Sequence, residues 1–467
     1  MEPIDVAPFM FAGLIIFLLI GYPVAFSLCA VGLAFATFGI LTGLLDASFL
    51  NTVPLRLYGV MSNDLLLAIP FFTFMGAILE RSRLAEDMLE GFGQLFGPIR
   101  GGLAYAVIFV GAILGAITGT VAASVIAMAM IALPVMMRYG YNMKLGTGVI
   151  AASGTITQLI PPSLVLVVLA DQIGKPVGDM YRGAIGPSVV QVALFCLYIL
   201  AISILFPKMM PALPAEARTL RGWPLAVKLL HGMVPSLALI FIVLGTILMG
   251  LATPTESGAM GVFGSILLAF VNGRLDREMF WHAMDTTTRI STMVVFILVG
   301  STMFSSIFQG FYGGVWIEDL LSHLPGGVVG FLIFVNIFIF ILAFFLDFFE
   351  IAFIVIPLLA PVAAKLGIDL IWFGVLIGAN LQTSFMHPPF GFALFYLRGV
   401  APPSIKTNDI YLGAIPWVGL QILLVGILIF FPSVVTGLLD AKSKVDPNAP
   451  DLDIPGIEAP ATIDLSQ

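Results

Sequence analysis

Sixty per cent of the 467 residues are hydrophobic and only 10% are charged, so this chain cannot tile a water-soluble surface. Runs of about 18 or more apolar residues, parted by short charged stretches, read as helices crossing a hydrocarbon core of about 30 Å. The alternating segments of about ten residues that build a transmembrane barrel are absent. The net charge of −7 is carried partly by an acidic tail and says little about partners. Membrane lipids are expected as neighbours and nucleic acid is not. Cys29 and Cys196 both lie in apolar runs, where buried small hydrophobes are expected and a disulfide is not. Glu2 and Asp5 stand where a basic n-region would precede a cleaved signal, so the first span is expected to be retained.

Residues 8 to 44 are too long for one span, and Gly21-Tyr22-Pro23 divides them into two helices. A third span covers about 64 to 80. Arg81, Arg83 and Arg100 place the following segment in the cytoplasm. Within it Leu84, Met88, Leu89, Phe92, Leu95 and Phe96 recur opposite Arg83, Glu86, Asp87 and Glu90, which predicts an amphipathic helix lying at the interface. Gly101 to Met137 is apolar but interrupted by Thr118-Gly119-Thr120 and then Ser124. It reads as a re-entrant hairpin with this polar cluster at its tip, or as one span with small packing residues. Charge favours the hairpin. Spans at about 145 to 170 and 185 to 206 lead to the basic linker Pro207 to Lys228, and two crossings return the chain to the cytoplasm only if the earlier segment does not cross.

Beyond the linker, spans at about 232 to 251 and 257 to 271 are joined by Ala252-Thr-Pro-Thr-Glu-Ser257. Arg274, Arg277 and Arg289 mark a cytoplasmic loop, and a span at about 290 to 310 emerges externally at Glu318, Asp319 and His323. Gly326 to Ala364 is the second hairpin, broken at Leu346-Asp347-Phe348-Phe349-Glu350. A broken span from about 370 to 397 and a final span near 411 to 431 follow, and the tail rich in Pro and Asp reads as disordered.

The two halves repeat. Pro134, Gly140 and Pro161-Pro162 return as Pro361, Gly367 and Pro388-Pro389, and 361 − 134 = 227 holds for each pair. Each half offers spans, a hairpin, a broken span and a plain span. An odd number of crossings between the hairpins inserts them from opposite faces. The predicted fold is therefore an all-α polytopic membrane protein with two inverted repeats, each with a re-entrant hairpin and a broken helix. Its expected divisions are 1–100 (scaffold and interfacial helix), 101–206 (first hairpin and broken helix), 207–228 (linker), 229–325 (second scaffold), 326–435 (second hairpin and broken helix) and 436–467 (tail).

Unwound backbone is tolerated in hydrocarbon only where it is buried in protein or lines a wet cavity. Exposed carbonyls with Ser, Thr, Asn or Asp oxygens can replace the hydration shell of Na⁺, while helix N-termini present N–H groups to an anion. On the 227 offset Thr120 falls on Asp347, Ser153 on Asn380, Thr155 on Gln382 and Thr157 on Ser384. The candidate ion and substrate residues are Thr118, Thr120, Ser124, Ser153, Thr155, Thr157, Asp347, Glu350, Asn380, Gln382, Thr383 and Ser384. An intramembrane acid is a functional candidate by default, although Glu350 can instead face water. Each hydroxyl can equally bond the preceding turn of its own helix. Asn380 and Gln382 are harder to leave idle, because a buried unpaired amide is costly. His387 is a proton site or a local packing group, and Arg398 marks the cytoplasmic edge or meets a carboxylate. There is no H-E-x-x-H, no G-x-S-x-G turn and no phosphate-binding G-x-x-x-x-G-K-[ST] loop, so an enzyme is not expected.

The stretches GAILGAITGTVAASVIAMAMIALPVMMRYGY, SGTITQLIPPS, ATPTES, LDFFEIAFIVIPLLAPVAAKLGID and TSFMHPPFGFALFYLRGVAPP together resemble the large membrane subunit of tripartite ATP-independent periplasmic (TRAP) transporters, over about residues 8 to 435. The resemblance implies a bacterial inner-membrane secondary transporter with an elevator mechanism. Sodium would drive uptake of a small organic acid handed over by a periplasmic substrate-binding protein. A small four-helix membrane subunit, a separate polypeptide, would support the scaffold. No cofactor is implied beyond sodium as the coupling ion, bound at the candidate positions above. The chain departs from many relatives at Thr118-Gly-Thr-Val-Ala-Ala-Ser124, where a serine-rich tip followed by an acid is usual, and at His387, where threonine often precedes the prolines. A proton-coupled or stand-alone symporter or exporter of the same fold is the alternative, and a channel or structural subunit comes third.

Overall fold

The computed structural model describes residues 2–82, 84–118 and 121–439, and among them every regular element is helical. Eight helices are long and apolar enough to cross a membrane, or up to ten if each of two bent pairs is one span. Helices α1 (Ala7–Ile20) and α2 (Val24–Thr42) part at Gly21, whose φ of 87° suits glycine. They are followed by α3 (Thr52–Met61), α4 (Ala68–Glu80) and α5 (Leu84–Phe96). The first hairpin is α6 (Gly102–Thr118) and α7 (Val121–Arg138), the first broken helix is α8 (Met143–Thr155) with α9 (Leu164–Ile173), and α10 (Val177–Leu205) closes the half.

The second half runs α11 (Trp223–Leu248), α12 (Pro254–Val271), α13 (Arg277–Gly310) and α14 (Gly313–Ser322). Its hairpin is α15 (Gly327–Leu342) and α16 (Phe348–Lys365), its broken helix α17 (Leu370–Ser384) with α18 (Phe392–Val400), and α19 (Thr407–Phe430) is last among the long helices. The two halves keep register closely. Helices α7 and α16 open at Val121 and Phe348, 348 − 121 = 227, and they close at Arg138 and Lys365, the same distance apart. Helices α8 and α17 open at Met143 and Leu370, again with that spacing, behind Asn142 and Asp369, each of which accepts a backbone N–H two or three residues on. Both proline pairs, Pro161-Pro162 and Pro388-Pro389, are cis.

Between hairpin and broken helix each half turns at a left-handed glycine, Gly140 (φ 76°) and Gly367 (φ 73°), and an added Cβ would touch nothing at either. Alanine there meets only the backbone penalty of the left-handed region, about 1–2 kcal/mol per site. Gly140→Ala and Gly367→Ala are each expected to lower the thermal midpoint of the detergent-solubilised protein by a few degrees without a local clash. An unchanged midpoint in both would count against this turn as the feature that fixes the repeat.

Four details refine or correct the expectation. The stretch around Glu318, expected on the external side, is α14, a short helix at the place in the second half that α5 holds in the first; beyond its Ser322 end the chain bends sharply, by 118°, into α15. Most of the apolar stripe of α5, Leu95 excepted, is covered by protein, packing on α6 and α11, with Phe92 and Phe96 stacked on Phe109 and the Asp87 and Glu90 carboxylates 2.7 and 3.0 Å from Lys228 Nζ. Cys29 and Cys196 are free, as expected, but half-buried. In addition α13 is one continuous helix from Arg277, so Arg289 lies on it and not in a loop.

The packing interlocks the halves. Helices α2, α4, α12 and α13 lie together, and α4 meets the first hairpin where α13 meets the second. Each short second arm of a broken helix packs across the repeat boundary, α9 on α16 and α17, α18 on α7 and α8. Both breaks are thereby enclosed in the same core.

Candidate functional site

The first break follows Thr155, where α8 tightens into a 3-10 turn over Ile156–Gln158 and the chain bends through the proline pair before α9 begins. The second follows Ser384 and runs through Pro388-Pro389 to Phe392. Of the candidates flanking these breaks, Ser153, Thr155, Thr157, Asn380, Gln382, Thr383 and Ser384 are all at most 4% exposed. Most hydroxyls take the local option: Ser153 donates to Ile150 O (2.8 Å), Thr155 to Ala152 O (3.0 Å), Thr383 to Asn380 O (2.7 Å) and Ser384 to Leu381 O (2.5 Å). A hydroxyl that donates in this way still offers its lone pairs to a cation. Among the described residues Thr157 Oγ1 has no partner, and neither has Gln158 Oε1 beside it. Two buried oxygens without a donor are what a hard cation or an ordered water would satisfy.

The first hairpin reaches this break through glycine. A Cβ on Gly111 would stand 2.6 Å from Ser153 Cβ and 2.8 Å from its carbonyl oxygen, and one on Gly115 would stand 2.9 Å from Thr157 Cα. On the other arm, a Cβ on Gly154 would lie 2.2 Å from Val125 Cγ2. Backbone thus lies on backbone along both arms, with Ser124 buried on α7 nearby in sequence. Thr120 and the side chain of Thr118, expected at the tip, lie outside the described residues.

The second hairpin is tied differently. Asn380 donates to the Asn336 carbonyl of α15 (2.8 Å), and the Asn336 amide donates to Leu332 O (2.8 Å). At the tip Asp347 caps α16. The Glu350 N–H donates to Asp347 Oδ1 at 2.9 Å and the Asp347 N–H donates to Glu350 Oε2 at 3.0 Å, a reciprocal box that satisfies two end donors of the helix. A π turn over Ile351–Val355 follows at once. His387 is 1% exposed, and neither ring nitrogen has a partner among the described residues. Its imidazole lies between Phe340 and Phe344, with centroids at 4.1 and 4.2 Å. Phe340, Phe344, Phe348 and Phe385 stand where the first half has Ile113, Ile117, Val121 and Gln158, so aromatics in the second half replace three aliphatic residues and one amide in the first. Arg398 donates to Ile405 O (2.7 Å), serving a loop carbonyl.

Sequence reasoning missed the amides. Gln158, Gln191, Asn336 and Gln421 are buried and reach or adjoin the breaks. The signal was available, since a lone amide inside an apolar run needs a partner.

Residues 11–434 match the family model described as "Tripartite ATP-independent periplasmic transporter, DctM component". The chain belongs to this family. It is a DctM-type large permease subunit of a TRAP transporter, a multi-pass protein of the bacterial inner membrane and not an enzyme. It is 28% identical to the C4-dicarboxylate TRAP transporter large permease protein DctM of Vibrio cholerae, over 90% of this chain and 94% of that one. It is 27% identical to the isethionate TRAP transporter permease protein DctMQ of Oleidesulfovibrio alaskensis, over 92% of this chain and 66% of that one. The YdaH transporter of Alcanivorax borkumensis, 15% identical, shares its fold with a TM-score of 0.61 over 85% of this chain and 91% of that one. In this DctM permease the buried oxygens at the two breaks make up the candidate site.

Proposed function

We propose that this permease carries a small organic acid inward across the bacterial inner membrane, driven by sodium. The observation that carries the reading is the pair of enclosed, oxygen-rich breaks, with Thr157 Oγ1 and Gln158 Oε1 left without partners among the described residues while the neighbouring Ser153 and Thr155 hydroxyls bond within their own helix. Cations settle at such oxygens, and closing each break then turns main-chain N–H groups toward a substrate carboxylate. The similarity to permeases named for C4-dicarboxylate and isethionate, both anionic at neutral pH, supports an acidic cargo.

A periplasmic binding protein would deliver the acid and a small four-helix membrane subunit would brace the scaffold. Residues 101–206 and 326–435 would move together as the transport unit against 1–100 and 229–325, with 207–228 as linker. Differential affinity of the loaded and empty states sets the direction of uptake.

Reconstitution into proteoliposomes with both partners tests this. An inward sodium gradient is expected to drive accumulation of the acid that the binding protein carries, and a proton gradient alone is not. His387, buried with two unbonded nitrogens, favours proton coupling as the second reading. Accumulation driven by protons without sodium would replace the first reading with the second.

A further inference from the structure

Two buried glutamines hold matching places in the two repeats. Gln191 lies on α10 and Gln421 on α19, each with no solvent exposure. The helices open at Val177 and Thr407, and 407 − 177 = 230 is also 421 − 191. The same turn of the same helix therefore carries a glutamine in both halves. The Gln421 amide donates to Thr155 Oγ1 at 2.9 Å, and the Gln191 amide donates to Gln382 Oε1 at 2.5 Å. Thr155 and Gln382 are themselves repeat mates, since 382 − 155 = 227. Each glutamine thus reaches past its own repeat and holds the helix end that precedes the break of the other.

The chemistry of these contacts is directional. Gln421 donates to the Thr155 hydroxyl, which donates to Ala152 O at 3.0 Å, so the amide fixes the rotor of a hydroxyl two residues before Thr157. On the other side Gln191 Oε1 and Gln382 Nε2 are buried and without partners among the described residues, as is Gln421 Oε1. An unsatisfied buried polar atom is costly, and an apolar residue would avoid that cost if packing were the only need. Buried polar pairs specify one arrangement over its competitors.

We propose that Gln191 and Gln421 are positioning residues that cross-couple the repeats, each holding the break of the opposite half so that loading at one is felt at the other. Only the consequence for ion loading rests on the sodium reading above; the crossing itself does not.

The test uses the full chain in lipid nanodiscs, with Gln191→Met and Gln421→Met chosen to conserve volume. Amide hydrogen exchange is expected to rise at least fivefold over 380–387 in Gln191→Met and over 153–160 in Gln421→Met, while the helix carrying the substitution stays protected. Thr155→Val removes the acceptor from the other side; it should loosen the same stretch and add nothing when combined with Gln421→Met. In the reconstituted complex the sodium concentration for half-maximal uptake should rise at least threefold, with the maximal rate within twofold. A general loss of packing would loosen the mutated helix first. Exchange that rises only there, or nowhere, overturns the proposal, as does additivity of Thr155→Val and Gln421→Met. Crossed exchange with sodium-independent uptake upholds the coupling and removes the sodium reading.

Discussion

Replacing Gly111 or Gly115 with leucine is expected to cut the initial rate of uptake at least tenfold while the permease still inserts in the membrane. The reason is that α6 meets the first broken helix without an intervening side chain. A new Cβ at Gly111 falls 2.8 Å from the Ser153 carbonyl oxygen, and one at Gly115 falls 2.9 Å from Thr157 Cα. These neighbours are main-chain atoms, so no flexible tip can swing aside and the hairpin itself must retreat. Overpacking of this kind costs about 1–3 kcal/mol, which the fold survives. The site does not survive it, because oxygens on both elements must converge within a few tenths of an ångström to replace a hydration shell. Gly419→Leu serves as the control, since a Cβ there meets nothing within 4 Å. Uptake by both Gly111→Leu and Gly115→Leu within twofold of the parent would remove the first hairpin from the site.

Much of this architecture was legible because backbone-determining residues keep their spacing while side chains drift. Pro161-Pro162, Gly140 and their mates Pro388-Pro389 and Gly367 gave the 227-residue repeat, and the helix ends at 121 and 348 obey it. Composition gave the membrane, and the intramembrane pair Asp347 and Glu350 marked a hairpin tip that is a helix cap. Three features were not legible. Helix α14 is only ten residues long, too short for its periodicity to stand out beside the runs that flank it. The buried amides Gln191 and Gln421 stand 230 residues apart, out of the 227 register, because the loop before α19 is three residues longer than the loop before α10. Their pairing is visible only once the helices are aligned by their own starts. The direct backbone contact at Gly111 and Gly115 was hidden for a different reason: in a chain with 48 glycines, no single one announces what lies against it.

Asp347 allows capping to be separated from charge. Asp347→Ala removes the acceptor for the Glu350 N–H, and loss of such a cap costs about 0.5–2 kcal/mol, enough to lower the thermal midpoint by several degrees. Serine also caps helix ends but carries no charge, so Asp347→Ser is expected to restore the midpoint to near that of the parent. If the carboxylate did nothing beyond capping, transport would return with stability. An acid in the middle of an apolar stretch, with no cationic side chain among the described residues bonded to it, is a costly way to cap a helix that serine would cap as well. The expectation is therefore that Asp347→Ser folds like the parent yet loses at least tenfold in uptake rate, and that the loss persists at saturating substrate, as the proposed role of this carboxylate at a coupling ion requires. Thermal melts of the three proteins, paired with sodium titrations of uptake, read the two effects separately. Full transport by Asp347→Ser would reduce this acid to a cap and move the second ion site toward Asn380 and Ser384.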